Sequence, residues 1–317
     1  MLQQRSHEKY DALIQGCQEL MPMLTIVVHP CDEPSLSGAI EAAAAHIMNP
    51  VLVGPEARIR TLADSLHLDL TGLRMVNVPH STAAAEKAID MVRAGEGDAL
   101  MKGSLHTDEL MTEVVRKDTG LRTGRLISHV FIMDVPTYAK PLFITDAAIN
   151  IFPTLEEKAN ILANAIELAQ ALHITSPKVA ILSAVETVRS KIPSTIDAAA
   201  LCKMAERGQI TGAVLDGPLA FDNAISREAA ATKHIASPVA GDADILLVPD
   251  LEAGNMLVKE LTFLANADEA GIALGARVPI ILTSRADSVR ARLASCAVAR
   301  RYVNAQRVPI SGNTPVE

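Results

Sequence analysis

Two short segments of this sequence combine cationic, hydroxyl and imidazole side chains at spacings that suit anionic substrates. The first, residues 101–107, reads MKGSLHT, a pattern that predicts the end of a strand followed by the start of a helix. Lys102, Ser104 and His106 would then stand beside exposed backbone N–H groups, which favour a bound anion. A purely structural role is equally open, with Ser104 or Thr107 capping the helix and Lys102 solvated.

The second segment, residues 282–287, reads LTSRAD and again predicts the end of a strand. Ser284 beside Arg285 places a hydroxyl and a guanidinium where they can stabilise phosphate or a developing oxyanion. In the structural alternative, Asp287 caps the following helix and Arg285 pairs with it.

Several common catalytic motifs are absent from the sequence. It contains no GxxxxGK[ST], no GxSxG and no HExxH, and its nine histidines are dispersed without metal-ligand spacing. The GEG at residues 95–97 precedes a predicted strand instead of following one, so it does not indicate a dinucleotide site. We therefore expect no metal and no tightly bound cofactor.

Composition and charge disfavour several classes of binding partner. The 29 Lys and Arg residues against 37 Asp and Glu residues give a net charge of -8, which disfavours nucleic acid and anionic membranes. The four cysteines form no CxxC pair, and no apolar run reaches the roughly 18 residues of a membrane span. We expect a cytoplasmic protein in which any bound anion is held by local cationic groups and helix N-termini. The small-molecule substrates follow from the family resemblance given below.

Short apolar segments alternate with helical patterns along almost the whole chain. Such alternation predicts βαβ units with a mostly parallel sheet, in which ligands bind beyond the carboxyl ends of the strands. The predicted strands are residues 24–29, 50–53, 75–78, 99–102, 142–145, 179–183, 212–215, 245–248 and 279–283, and the predicted helices are residues 35–48, 56–67, 83–94, 107–116, 155–173, 194–208, 221–234, 254–264 and 287–302.

The chain is long enough for two domains. It has 317 residues, 49% of them hydrophobic, more than one simple core requires. The polar, basic stretch of residues 117–125 (KDTGLRTGR) is the best candidate for a domain boundary in the first half of the chain. We expect a discontinuous first α/β domain of residues 1–127 plus 276–317 and a second α/β domain of residues 128–275.

Eight ordered sequence blocks also carry a family resemblance. They are residues 101–107, 120–124 (GLRTG), 184–187 (AVET), 192–195 (IPST), 216–219 (DGPL), 237–241 (SPVAG), 249–255 (PDLEAGN) and 283–288 (TSRADS). Together these blocks resemble the phosphate acetyltransferase/phosphate butyryltransferase family over residues 98–298. The resemblance implies the reversible reaction of acyl phosphate with coenzyme A to give acyl-CoA and phosphate, without metal or covalent intermediate. It also implies two α/β domains with mostly parallel sheets and an interdomain cleft, an isocitrate/isopropylmalate dehydrogenase-like architecture, and a homodimer.

The resemblance assigns roles to individual residues. Ser284 and Arg285 match the family's catalytic pair. Acetyl-specific members carry an aspartate seven residues after that serine, as the base for the thiol, and here that position is Ala291. Either Asp287 substitutes or no dedicated base is needed, because a thiol of pKa near 8.5 is already about a few per cent thiolate at neutral pH. The smaller, apolar side chain at position 291 favours butyryl as well as acetyl groups.

The substrate-binding candidates are drawn from the ends of predicted strands and from the matching blocks. They are Lys102, Ser104, His106, Arg122, Asp216, Gly254 and Asn255. Two other functions stay open: a catalytically silent module that binds acyl phosphate or coenzyme A, and a dehydrogenase of the same architecture. Because both Ser284 and Arg285 are present, a catalytically active enzyme is favoured over the silent binding module. The absence of a dinucleotide-binding motif disfavours the dehydrogenase.

Overall fold

The computed structural model describes residues 8–17, 19–282 and 288–307. Within these residues, eleven strands form one sheet in the order β3-β2-β1-β4-β11-β10-β5-β6-β9-β7-β8. The strands are β1 (Met23–Val28), β2 (Met48–Gly54), β3 (Arg74–Asn77), β4 (Ala99–Lys102), β5 (Ser128–Asp134), β6 (Leu142–Thr145), β7 (Lys178–Leu182), β8 (Val214–Leu219), β9 (Ile245–Leu247), β10 (Asp268–Leu274) and β11 (Ile280–Ile281).

Helices connect most of these strands. They are α1 (Glu8–Gln15), α2 (Glu33–Ala44), α3 (Glu56–Leu66), α4 (Ser81–Arg93), α5 (Thr107–Val114), α6 (Leu155–Ala171), α7 (Pro193–Glu206), α8 (Phe221–Ile225), α9 (Arg227–Thr232), α10 (Leu251–Phe263) and α11 (Val289–Arg307). α6 begins with a capping box, in which Thr154 and Glu157 each accept from the other's backbone N–H. The single helix predicted over residues 221–234 is wrong, because the chain is extended at Ser226 and the hydroxyl of Ser226 caps α9.

The sheet consists of two parallel blocks that run in opposite directions. β3, β2, β1, β4 and β11 are parallel to one another, and so are β6, β9, β7 and β8. Between the blocks, β10 and β5 form antiparallel pairs with each other and with their outer neighbours. The carboxyl ends of the two blocks therefore lie at opposite edges of the sheet.

The two faces of the sheet are covered differently. One face carries a single core that continues across both blocks beneath α1, α2, α3, α6, α7 and α11. The other face carries two separate cores, one beneath α4 and α5 and the other beneath α8 and α10. The two cores of this face are separated over the middle strands of the sheet. Ala273 of β10 belongs to the core beneath α4 and α5, and Met133 of β5 belongs to the core beneath α8 and α10. The mixed α/β fold with a mostly parallel sheet confirms the predicted fold class.

The predicted boundary between residues 1–127 plus 276–317 and residues 128–275 would fall between β11 and β10, and the division into two domains stays a prediction. Residues 1–127 plus 276–317 contain the first block with β11, and residues 128–275 contain β10, β5 and the second block. α11 follows β11 but packs against β10, α1, α2 and α6, so it contacts both parts. Its Arg300 is buried and donates to the carbonyl oxygens of His46 at 2.6 Å and Met21 at 3.1 Å.

Candidate active site

A glycine makes it possible for two loops to meet where β1 and β4 end. The backbone N–H of Gly103 donates to Val28 O, and that of Ser104 donates to His29 O, both at 2.9 Å. A Cβ on Gly103 would lie 2.3 Å from Val28 O and 2.5 Å from His29 O, closer than real Cβ atoms approach. The loop after β4 can therefore cross the end of β1 only because residue 103 has no side chain.

The hydroxyl of Ser104 joins these two loops. Its Oγ donates to His29 O at 3.0 Å and accepts from the backbone N–H of Cys31 at 3.3 Å. His29 Nδ1 also lies 3.0 Å from Ser104 Oγ and, as the N–H tautomer, donates to it. Burial, followed by the charge of Arg58, lowers the pKa of His29 below its ordinary value, which leaves this imidazole neutral near pH 7.

Lys102 precedes and His106 follows Ser104, the residue that joins the loops after β1 and β4. Lys102 Nζ donates to the carbonyl oxygens of Gly103 at 3.2 Å and Leu105 at 3.3 Å, so its charge is held against the loop. His106 occupies the N-cap position of α5, is exposed, and makes no capping hydrogen bond through its side chain. The predicted alternative in which a hydroxyl residue caps this helix is therefore wrong.

Glu109 is an ionisable group of this region that the sequence analysis missed. Its Oε1 accepts from Ser81 Oγ at 2.7 Å and from Thr82 Oγ1 at 2.9 Å, which ties α5 to the start of α4. The hydrogen bond from Ser81 is the main cause that lowers the pKa of Glu109, and His29 and His106 act in the same direction. Its only signal in the sequence was an acidic residue in a first helical turn.

β11, the strand that precedes the second segment in the sequence, ends at the same edge of the sheet as Lys102. Ile281 of β11 pairs with Met101 of β4 in parallel, so the chain leaves β11 beside the end of β4. We call the carboxyl ends of β1, β4 and β11 the catalytic edge. The three predicted catalytic residues lie outside the described residues, between Leu282 and the start of α11: Ser284, Arg285 and Asp287.

The start of α11 is described from Ser288 onward. Ser288 Oγ accepts from the backbone N–H of Ala291 at 3.1 Å, as a capping side chain does. Ala291 is 3% exposed in the first helical turn. Ala291, the position at which the resemblance implies an aspartate in acetyl-specific members, is thus buried, and it lies seven residues after Ser284 in the sequence.

Gly254 and Asn255 form a second group beyond the end of β9. Asp250 caps α10 by accepting from Ala253 N at 2.9 Å. A Cβ on Gly254 would lie 2.8 Å from Ala147 Cβ, so this glycine lets α10 lie against the loop that follows β6. Asn255 Nδ2 donates to Ala147 O at 3.3 Å, which fixes the same contact.

Arg122 and Asp216 lie apart from the catalytic edge. Arg122 is exposed and forms a β-bridge with Ala276, which lies in the turn between β10 and β11. This turn precedes β11, so it lies at the edge of the sheet opposite to the catalytic edge. Asp216 lies on β8 at the far side of the sheet, where its Oδ1 accepts from Gly217 N at 2.8 Å. The structure brings Lys102, Ser104 and His106 together, but it does not bring Arg122, Asp216, Gly254 or Asn255 within contact of them.

Other chemistries find little support among the described residues. No group of three or more His, Cys, Asp or Glu side chains in residues 8–17, 19–282 and 288–307 could hold a metal ion. Burial raises the pKa of the Cys31 thiol, which lies nearest to the catalytic edge, and this disfavours a thiolate nucleophile. In the described part of the chain, no helix combines the length and apolarity needed to cross a membrane.

Comparisons with known proteins show which family the chain resembles. The family model described as phosphate acetyl/butaryl transferase matches residues 80–300. A phosphate acetyltransferase of Rhizobium meliloti is 66% identical over 299 residues, which cover 94% of this chain and 95% of that protein. A phosphate butyryltransferase of Clostridium beijerinckii is 40% identical, with 92% of this chain and 97% of that protein covered.

Solved structures give the same result for the fold. A branched-chain phosphotransacylase from Enterococcus faecalis superimposes with a TM-score of 0.76 at 31% identity, over 89% of this chain and 99% of the other. A 4-hydroxythreonine-4-phosphate dehydrogenase from Burkholderia phymatum shares the fold alone, with a TM-score of 0.54 at 12% identity over 89% of this chain and 98% of the other. The chain belongs to the phosphate acetyl/butyryl transferase family.

Proposed function

We propose that this protein transfers an acyl group between acyl phosphate and coenzyme A. The observation that carries the proposal is the family match, which includes both the loop of Lys102 and the segment of Ser284 and Arg285. The geometry supports it, because β4 and β11, the strands that precede these two segments in the sequence, end side by side at the catalytic edge.

The reaction needs two charges to be stabilised. The sulfur of coenzyme A, after losing its proton, attacks the acyl carbon and forms the new C–S bond. An oxyanion develops on the acyl oxygen, the bond from the acyl carbon to the phosphate oxygen breaks, and inorganic phosphate leaves with that electron pair. Donors that are fixed in place before the reaction lower the barrier most, since they need not reorganise as the charge appears.

We assign these tasks to residues of the catalytic edge. Arg285, with Ser284, stabilises the oxyanion and the departing phosphate, and Asp287 receives the thiol proton. Lys102 and His106 attract the phosphate of the substrate. The neutral His29 and the hydroxyl of Ser104 keep the two loops together, as their hydrogen bonds indicate.

A coupled assay tests the proposal directly. Purified protein is mixed with coenzyme A and acetyl or butyryl phosphate, and thioester formation is followed by absorbance, with and without a nicotinamide cofactor. We expect thioester formation that is independent of the nicotinamide. Absence of turnover with both acyl phosphates, in protein that binds coenzyme A, would favour the silent binding module instead.

We also propose that the acyl group is acetyl or butyryl. Relatives with both names align over most of this chain, and the buried Ala291 supplies a small apolar side chain where a carboxylate would be larger and polar. Each buried methylene contributes about 0.8 kcal/mol, so we expect catalytic efficiencies within roughly tenfold of each other.

The native assembly is proposed to be a cytoplasmic homodimer with two domains per chain. Exposed apolar side chains support an interface near α10, including Phe152 at 72%, Met256 at 66% and Phe263 at 75% exposure. Light scattering at micromolar concentration should give twice the chain mass of 33.7 kDa. A single-chain mass would reject the dimer.

A further inference from the structure

A cavity of about 610 Å³ lies at the ends of β4 and β11 that are opposite to the catalytic edge. Its walls are the residues before β4 and β11, the turn between β10 and β11, and the last turns of α11. Small-molecule sites typically have volumes of about 300–1,000 Å³, so the cavity is large enough for a nucleotide. Thr123 and Gly124 of its wall belong to the family block 120–124, whose Arg122 was a substrate-binding candidate, but the acyl transfer proposed above assigns no ligand to this cavity.

Three arginines line this cavity in a chain whose net charge is -8: Arg125, Arg277 and Arg307. Two of them face carboxylates, since Arg307 Nη2 lies 2.6 Å from Asp98 Oδ1 and Arg125 pairs with Glu167. The exposed side chain of Arg277 has no hydrogen bond or ion pair within the part of the chain that the structure describes.

The two carboxylates are already bound by other donors. Glu167 Oε1 accepts from the hydroxyl of Tyr302 at 3.0 Å and also from Gln306. Asp98 Oδ2 accepts from the backbone N–H of Leu24 at 2.8 Å. Because each guanidinium carries five N–H donors, the donors at the cavity wall outnumber the acceptors. An anion with several oxygen atoms is the ligand that restores this balance.

Part of the cavity wall is bare backbone. No atom lies within 4 Å of the Cβ position of Gly124, whereas a Cβ on Gly275, at φ +92°, would clash with the carbonyl oxygen of Leu126, so packing of the chain requires that second glycine. Thr123 Oγ1 donates to Gly275 O at 2.6 Å and accepts from Arg125 N at 3.1 Å, which fixes the two chain segments relative to each other. A ligand can therefore approach the main chain closely at this wall.

We propose that this cavity binds a phosphate-bearing ligand of nucleotide size, such as a nucleoside diphosphate. Its phosphates contact the guanidinium groups of Arg125, Arg277 and Arg307, and the remainder of the ligand fills the volume beside Tyr302. The site is distinct from the catalytic edge, because the length of β4, about 13 Å for four residues, separates the two.

Calorimetric titration with ADP tests this site independently of catalysis. We expect saturable binding of one ADP per chain, both without coenzyme A and with coenzyme A at saturation. Loss of ADP binding when coenzyme A is saturating would mean that ADP occupies the coenzyme A site, and it would overturn the proposal. The same follows if ADP does not bind at all.

Two charge-reversal variants locate the site. Arg277→Glu should weaken ADP binding about 10- to 100-fold, the usual effect of losing a hydrogen bond to a charged group. The matched control is Arg207→Glu, an exposed arginine after α7 without a partner among the described residues, and it should bind ADP as the parent does. If Arg277→Glu fails to fold, Arg277→Ala replaces it.

The titrations also test the size of the ligand. Equal ADP binding by the parent and the Arg277 variant would refute the site. Inorganic phosphate that binds as tightly as ADP, and displaces it, would refute a ligand of nucleotide size. Acyl transfer without ADP should be unchanged in Arg277→Glu, since this arginine lies outside the proposed catalytic machinery.

Discussion

Replacing Gly103 by alanine is the sharpest perturbation of the catalytic edge. The added Cβ would lie 2.3 Å from Val28 O and 2.5 Å from His29 O, whereas ordinary contacts begin at 3.4 Å. The obstacles are backbone oxygen atoms of β1 and the residue after it, so no side chain can rotate away. The loop must move by about 1 Å, the difference between these distances.

A shift of this size should affect stability and catalysis together. Overpacking at a fixed backbone costs about 1–3 kcal/mol of the free energy of unfolding. The shift also moves Ser104 and His106, and a misplacement of about 1 Å in a catalytic site can cost roughly 10²-fold in rate. We therefore expect kcat/KM of Gly103→Ala to fall about 100-fold while most of the protein remains folded at 25 °C.

The assay compares two glycine variants of the same chain. Denaturant unfolding gives the change in stability, and thioester formation gives kcat/KM. Gly124→Ala is the matched control, because no atom lies within 4 Å of its Cβ position, and it should differ little from the parent in either measurement. A Gly103→Ala protein with kcat/KM within twofold of the parent would refute the placement of this loop in the active site.

Three further changes test other parts of the proposal. Arg285→Ala should lower turnover about 10²- to 10³-fold in folded protein, with only partial rescue by Arg285→Lys, and normal turnover would show that the residue is misassigned. Ala291→Asp should lower the ratio of butyryl to acetyl kcat/KM; an unchanged ratio would mean that position 291 does not face the acyl group. The hydrogen bond from Lys178 lowers the pKa of Asp242 to about 2, so this carboxylate stabilises the fold above pH 4 and the gain is lost between about pH 4 and 2. Asp242→Asn should therefore cost about 1–2 kcal/mol at pH 7 and flatten acid unfolding in that window, as followed by circular dichroism.

The strands predicted from the sequence all occur, and the two that were missed are the antiparallel ones. β-branched, apolar segments made the inner parallel strands recognisable, because strands such as β1 and β9 are buried on both faces. β10 reads DEAGIAL, and its alanines and glycine are poor strand formers. A Cβ on Gly271 would lie 2.4 Å from His129 Cε1 of β5, so the packing of a histidine ring, which no local pattern reveals, selects the glycine.

Local and long-range features of the site were not equally predictable. The loops at the ends of β4 and β11 could be identified because polar residues follow apolar strands directly. The bridge between Arg122 and Ala276 joins residues far apart in the chain, and so does the hydrogen bond from Asn255 to Ala147. Such contacts depend on the order and direction of strands, which spacing along the sequence does not determine.

The two groups of substrate-binding candidates follow strands of opposite direction, and the twist of the sheet is what would let both groups contact one pair of substrates. Going from β4 to β9 crosses β11, β10, β5 and β6, so five steps separate the two strands. A typical twist of about 20–25° per step would rotate the blocks by roughly 100–125° relative to each other. With that twist, carboxyl ends that point in opposite directions in a flat sheet would be only about 55–80° apart. This twist favours an assignment in which Lys102 and His106 contact the short acyl phosphate, whereas Gly254 and Asn255 contact coenzyme A, the substrate long enough to reach both.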